Sequence, residues 1–436
     1  MNRPSVSIVT FGCRVNQYES EAIRRVLAEG YPISEGVGDV VLLNACTVTG
    51  LADRKARQAA HRIHRERPDA LIILIGCLAD AVAAGLARFD EADLIAGNAW
   101  KGRIDQLLAY ALSGRRGILP PVGFESLDRE RAAGPAGRIR AFLKVQDGCS
   151  RACTYCRPRM VRGPSRSKSV KAAIEEAAGL LSSGYPEIVL TGINLAEYRP
   201  PDGSLPALVR SLLDLSELRR LRLASINQDG ITPELVGSFA DKRACPHFHI
   251  PLQSGDDRIL RRMRRGYTIS VYLDKIRMIR DLLPEASFGT DIIVGFPSED
   301  EEAFQGTCRT VEEIGFSNLH AFRYSPRAGT EAAGFDNQIE GAVKRRRAEE
   351  LNRVWRGTIR PLLDSRIGST QDVLVEGNRD GEWYGYTRDY MHVSFASDRS
   401  VRIGEERSVR ITGIDGVILK GEDDDRRGSS GDHASR

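Results

Sequence analysis

Three near-continuous apolar runs recur in the first hundred residues: Val6 to Gly12, Asp39 to Ala45 and Ala70 to Gly76. Runs that are apolar at successive positions, rather than at alternating ones, are strands buried on both faces of a parallel sheet. Between them, residues 19–29 and 51–67 repeat their apolar positions at helical spacing. Residues 1–114 therefore predict an open parallel βα sheet with right-handed crossovers. Each run ends on a cysteine: Cys13, Cys46 and Cys77. Strand carboxyl ends share one sheet edge, where ligands bind, so the three thiols are expected to converge.

Residues 115–137 are rich in Gly, Pro, Arg and acids without periodicity and read as a linker. Alternation then resumes. Strand-like runs fall at 141–145, 187–190, 221–226, 247–252, 288–294 and 319–324, with helical patterns at 170–182, 205–215, 233–240, 257–283 and 300–314. Six βα units over residues 138–364 predict an α/β architecture of the partial (β/α)6 kind, a TIM-like barrel with its active face at the strands' C-terminal ends. Thr191, Gly192, Asn194, Ser225, Asn227, Gln253, Ser254, Thr290 and Asp291 are candidates by that position, with helix capping as the ordinary alternative. A basic helix is expected over 342–363. Short strands at 371–375, 383–386, 392–395, 400–403 and 406–411 then predict a small antiparallel β-barrel over 365–422. Residues 423–436 read as a disordered tail.

Composition narrows the class. Eight Cys in 436 residues is no disulfide scaffold, and a reducing, cytoplasmic setting is the default. No apolar run has the length of a membrane span, and Met1 to Ser5 leads into a strand without a signal-peptide pattern. A net charge of +4 is slight, so a nucleic-acid surface would have to come from local clusters.

Candidate chemistry concentrates at Cys149-Ser150-Arg151-Ala152-Cys153-Thr154-Tyr155-Cys156, directly after the strand at 141–145. Three thiolates suit iron–sulfur clusters and zinc. No fourth Cys or His follows nearby, and the spacing differs from the ferredoxin runs. Three protein ligands on a four-iron cube leave one iron open to a small molecule. On spacing alone, a zinc knuckle or three buried thiols remain the alternatives. Cys245 and Cys308 match neither triad and read as structural thiols. Basic residues cluster at 54–67 and at 151–168, the latter including Arg162 and Arg166 without an acid. Both flank the cysteine sites and favour an RNA substrate. Near the C-terminus Trp383, Tyr384, Tyr386, Tyr390 and Phe395 interleave with Arg379, Arg388 and Arg399. They suit base stacking and phosphate contact, or equally a barrel core and rim.

The Cys-x-x-x-Cys-x-x-Cys loop resembles that of the radical S-adenosylmethionine (SAM) enzymes. Nearly the whole chain resembles the methylthiotransferases: Thr10-Phe11-Gly12-Cys13, Gly76-Cys77, Arg162 to Ser167, Leu190 to Asn194, His249 to Gly255, Thr290 to Pro297 and Tyr324-Ser325-Pro326, with a C-terminal part like the family's RNA-binding TRAM barrel. The resemblance implies two 4Fe-4S clusters, one on Cys149, Cys153 and Cys156 and one on Cys13, Cys46 and Cys77. The first would cleave SAM to a radical that takes hydrogen from an adenine C2, and the second would present the methylated sulfur. SAM contacts would come from Tyr155, Gly192, Asn194, Gln253 and Asp291, and RNA contacts from Arg162, Arg166, Arg379 and Arg388. Partners would be tRNA and an electron donor such as flavodoxin or ferredoxin, with neither DNA nor membrane. Cys13 to Ser20 and Asn44 to Thr49 resemble the branch acting on N6-threonylcarbamoyladenosine beside the anticodon. The same chemistry on a ribosomal-protein aspartate, and an iron–sulfur RNA-binding protein without radical chemistry, are the competing expectations. One departure is plain: Arg157-Pro158-Arg159-Met160 stands where the family usually has apolar residues before Pro.

Overall fold

The structure, a computed structural model, describes residues 3–132, 134 and 139–424. The N-terminal part is a five-stranded parallel sheet of strands Val6–Thr10, Val40–Asn44, Leu71–Ile75, Leu94–Ala96 and Gly117–Ile118, adjacent in space in the order they occur in sequence. The middle strands are buried throughout but for Leu71, because both faces are covered. Helices Arg14–Ala28 and Ile104–Leu112 pack with Val40 and Leu42 on one face, and helix Gly50–Glu66 packs with Val41 and Leu43 on the other. After helix Arg14–Ala28 the chain bridges in parallel from Ile33 to Val6, on the side of the first strand away from Val40, so the winding reverses direction there and helices cover both faces. The linker is also not structureless: its Gly117–Ile118 supplies the sheet's fifth strand.

The central part has six parallel strands: Arg140–Lys144, Glu187–Thr191, Arg220–Leu223, His247–His249, Ser287–Val294 and Asn318–Arg323. They form two three-stranded sheets, joined through Cys245 N→Leu221 O (2.8 Å) and Ile226 N→His249 O (3.0 Å) into one open arc. Outer helices include Val170–Ser182, Leu205–Leu213 and Glu301–Ile314. The single helix expected over 257–283 is two, Asp257–Arg262 and Ile269–Leu282. Arg264 and Gly266 take positive φ between them, and Thr268 caps the second by accepting from Val271 N.

Helix Gly341–Asp364 leads to a closed five-stranded barrel of Thr370–Arg379, Glu382–Thr387, His392–Ala396, Glu406–Asp415 and Ile418–Asp423. Two expectations change here. Residues 400–403 are not a strand but lead into a turn at Ile403-Gly404, and the fifth strand is Ile418–Asp423, which takes Asp423 out of the expected tail. Closure pairs His392–Ala396 with Ile418–Asp423 in parallel, so the barrel is not wholly antiparallel. The rest of the expected tail, 425–436, lies outside the described residues. Among the described residues no helix is long and apolar enough to cross a membrane.

Candidate active site

Strand register places the first three thiols side by side. Thr10 pairs with Asn44 and Asn44 with Ile75, so the loops that follow these strands leave one edge together. Cys13 caps helix Arg14–Ala28, Cys46 follows the second strand, and Cys77 opens helix Cys77–Ala83. Gly12 sits at φ +123°, and a Cβ there would lie 2.6 Å from Cys46 Cβ and 3.3 Å from its sulfur. Only glycine lets the two loops close. Val48 N donates to Cys46 Sγ (3.4 Å), and Arg162 Nε and Asn98 Nδ2 donate to Cys77 Sγ (3.2 and 3.7 Å). Burial, then repulsion by Cys77 and Cys13, pushes the Cys46 thiol up to about 12. Burial likewise raises Cys77, against the pull of Arg162 and Lys101. Metal binding would displace these protons.

The second triad occupies the loop after the first strand of the arc. A short ribbon of Gln146–Asp147 against Arg166–Ser167 pins the loop's ends. Gly148 turns it at φ +73°, where a Cβ would meet Pro164 O at 2.0 Å. Cys149 Sγ lies 3.7 Å from Asn194 Nδ2 and 3.6 Å from Glu197 Oε1, and Cys153 Sγ accepts from Arg265 Nη1 at 3.6 Å. Burial, followed by Cys153 and Cys149 among the raising neighbours, takes Cys156 up to about 12.

The donor sets bear on the choice of metal. A tetrahedral zinc, with Zn–S near 2.3 Å, draws its sulfurs to about 3.8 Å apart. Among the described residues neither cysteine triad brings all its sulfurs within 4.8 Å of one another, whereas His249, Asp291 and His320 do. Triads of soft ligands, each without a fourth protein donor close by in sequence, suit iron–sulfur clusters.

A buried ionic network ties the triads' frameworks together. Arg162 donates to Glu19 Oε1 (2.7 Å), Asp147 Oδ1 (2.9 Å) and Asn16 Oδ1, while Lys101 and Lys144 also bind Glu19. Burial alone would raise the Glu19 carboxyl, but Arg162, Lys101 and Lys144 hold it well below the usual range. Arg162 is 1% exposed, which corrects its expected RNA contact: its charge is spent inside the protein. Arg166 bonds Asp147 and lies 3.8 Å over the Phe124 ring. Arg388 is also redirected, donating to Lys242 O (2.7 Å) and Glu406 Oε2 (2.7 Å) where the barrel docks. Tyr386 and Tyr390 stack on each other against Arg140, and Phe395 is barrel core. Of the four arginines, Arg379 stays at the surface, over the Tyr384 ring.

Between the two cysteine sites lies a cavity of about 240 Å³. Val48 and Thr49, just beyond Cys46, face Tyr155, Cys156 and Arg157 across it, with Gln253, Asp291, Phe322, Arg323 and Tyr324 completing the wall. Tyr155, Gln253 and Asp291 are thus brought together as expected of a SAM site. Asn194 stands instead beside Cys149, and Gly192 closes against the Gln146 side chain, which a Cβ would meet at 2.9 Å. Asp291 Oδ1 receives both His249 Nε2 (3.1 Å) and His320 Nδ1 (3.0 Å). Those hydrogen bonds outweigh burial and keep its carboxyl below the usual range. Thr290 and Ser254 bond backbone groups and are structural. Glu197 and Arg265 were not among the candidates. Glu197 follows Asn194 by three residues, and Arg265 lies in what read as helix interior.

Comparison with known proteins bears on this geometry. The Radical SAM superfamily profile matches residues 143–311, and that described as Uncharacterized protein family UPF0004 matches residues 5–97. The threonylcarbamoyladenosine tRNA methylthiotransferase MtaB of Chlamydia pneumoniae is 35% identical over 95% of this chain and 97% of its own. The MtaB of Thermotoga maritima is 35% identical over 95% and 96%. A tRNA-2-methylthio-N(6)-dimethylallyladenosine synthase of Syntrophobacter fumaroxidans is also 35% identical, over 95% and 94%. In fold, the chain is similar to the radical SAM methyltransferase TsrM of Kitasatospora setae, at TM-score 0.55 and 14% identity over 76% of this chain and 74% of that one.

Proposed function

The chain belongs to the radical SAM tRNA methylthiotransferases, and from that premise we propose that it methylthiolates C2 of N6-threonylcarbamoyladenosine beside the tRNA anticodon, using two 4Fe-4S clusters. The observation that carries this reading is the single cavity onto which Val48 and Thr49 of one cysteine loop and Tyr155 and Cys156 of the other both open. When bound, the clusters and SAM supply the radical and the sulfur, chemistry that side chains alone cannot provide.

The chain's own residues position and exclude. Cys149, Cys153 and Cys156 hold one cluster, and Cys13, Cys46 and Cys77 the other. Arg265 and Asn194 donate toward sulfurs of the first set, Arg162 and Asn98 toward those of the second. Such donors stabilise thiolate charge and orient the ligands. The Glu19–Arg162–Asp147 network ties the frameworks of the two sites together, as a reaction between groups held in two domains requires. An aromatic C–H has no useful acidity, so no general base is required of the cavity.

The threonylcarbamoyl branch rests on the Cys13–Ser20 and Asn44–Thr49 segments, in which Asn16, Tyr18, Glu19, Ser20, Asn44 and Thr47 are all buried. Nucleoside digestion and mass spectrometry of tRNA from a deletion strain is the test. Loss of the methylthio form of threonylcarbamoyladenosine supports the assignment. Unchanged levels of it reject the base, and loss of the dimethylallyl derivative instead would move the enzyme to the other tRNA branch.

A further inference from the structure

Asp80 stands one turn after Cys77 on helix Cys77–Ala83 and is no cluster ligand, yet it grips the residue that reaches the Cys77 sulfur. Its Oδ2 accepts from both the backbone N (2.8 Å) and the side-chain Nδ2 (2.6 Å) of Asn98. Gly97 makes that approach possible, since a Cβ there would lie 2.0 Å from Asp80 Oδ1. Asn98 follows strand Leu94–Ala96, whose pairing with Leu71–Ile75 sends both loops off the sheet edge that carries Cys77. Asn98 is 6% exposed. Its Nδ2 also faces Cys77 Sγ (3.7 Å) and Val161 O (3.1 Å), the latter on the short helix Pro158–Arg162 that follows the second triad. Its Oδ1 has no partner among the described residues.

A side-chain amide nitrogen carries two hydrogens and no more. Asp80 takes one at the shortest distance, and the planar amide then aims the other between Cys77 Sγ and Val161 O. Nothing among the described residues holds the oxygen side, so the carboxylate fixes the amide's rotation. The same arrangement recurs at the other triad, where Glu197 Oε1 accepts from Asn194 Nδ2 (2.9 Å) and that nitrogen lies 3.7 Å from Cys149 Sγ. There the carboxylate also lies 3.6 Å from the sulfur, whereas Asp80 reaches Cys77 through the amide. Two clusters on like sets of thiolates differ in reduction potential through their surroundings, hydrogen bonds to sulfur among them. We propose that Asp80 is a positioning residue for the cluster of Cys13, Cys46 and Cys77: it holds Asn98 so that the amide donates to Cys77, which raises that cluster's reduction potential. This rests on the two-cluster function proposed above and adds what tunes one cluster apart from the other. A donor to a ligand sulfur stabilises the more negative, reduced state, so its loss lowers the potential.

The test is a redox titration, followed by electron paramagnetic resonance, of the full-length Cys149/Cys153/Cys156→Ala protein after anaerobic reconstitution, with iron content measured beside it. That protein keeps Cys13, Cys46 and Cys77 as its one triad. Asp80→Asn and Asp80→Ala, added to it, both remove the carboxylate charge, but only Asn keeps an acceptor for the Asn98 amide. The midpoint is therefore expected to lie lower in Asp80→Ala than in Asp80→Asn. Asn98→Leu, which removes the donor, should lower the midpoint as well. With Asn98→Leu already present, the two Asp80 variants should titrate alike, as residues acting through one contact do. Equal midpoints for Asp80→Asn and Asp80→Ala overturn the proposal, as does a difference that persists beside Asn98→Leu or an unchanged midpoint in Asn98→Leu itself. Loss of iron from Asp80→Ala that Asn98→Leu does not share gives Asp80 a structural role alone and also overturns it. Those results leave the proposed function in place. Absence of iron from the Cys149/Cys153/Cys156→Ala protein before any further substitution overturns the second cluster, and the positioning role with it.

Discussion

Arg162 Nε donates to Cys77 Sγ at 3.2 Å, joining the loop of the second cysteine triad to a ligand of the first. The same guanidinium binds Glu19 and Asp147, so one side chain sets both the charge around a sulfur and the docking of two domains.

Removing that guanidinium should therefore have a large structural cost. Arg162→Met leaves Glu19 and Asp147 short of a buried counter-charge, which costs about 3–5 kcal/mol. Guanidinium chloride unfolding of the anaerobic protein measures it. Adding Glu19→Gln should recover part of the loss, because a neutral amide no longer needs the cation.

Gly12 separates structural from catalytic failure at the first triad. A Cβ there would press on Cys46, at a φ that side chains rarely adopt. Gly12→Ala should lower the iron bound by Cys13, Cys46 and Cys77 while SAM cleavage to 5′-deoxyadenosine continues. Iron analysis alongside chromatography of the nucleoside would show both.

Glu187 should give the barrel's docking a signature in acid. It is fully buried, and although burial alone would raise its carboxyl, Arg222, Arg140 and Arg220 hold it far below the ordinary range. A carboxyl depressed in the folded state contributes stability that is present above its unfolded pKa and is lost as pH falls toward the folded one. Wild-type stability should thus decline as pH drops below about 4.3, the ordinary Glu value. Glu187→Gln should be less stable by about 3–5 kcal/mol at pH 7 and should show a shallower decline in that acid window. Denaturant midpoints at a series of pH values supply the comparison.

The strands and their cysteines were legible because the strands are buried on both faces, and a near-continuous apolar run has few other readings. The apolar runs ending at Cys13, Cys46 and Cys77 became three loops on one edge. The break at Arg264–Gly266 was hidden because apolar positions on either side keep helical spacing while two residues take positive φ. Arg162 misled for a related reason. An arginine in an acid-free stretch reads as surface, but its partners Asn16 and Glu19 lie more than a hundred residues away in sequence. Likewise, Tyr386, Tyr390 and Arg388 have the composition of an RNA surface. That the central domain consumes them depends on Arg140 and Arg222, far back in the chain.

Two iron–sulfur sites with different tasks are the core of the account, and paired triple variants address them most directly. Iron, sulfide, 5′-deoxyadenosine and methylthio nucleoside are measured after anaerobic reconstitution of wild type, Cys13/Cys46/Cys77→Ala and Cys149/Cys153/Cys156→Ala. Each variant should lose about half the iron, as expected when one of two equal clusters is lost. The first should still cleave SAM without inserting sulfur, and the second should do neither. Full wild-type iron and methylthio product in the Cys13/Cys46/Cys77→Ala protein would contradict it.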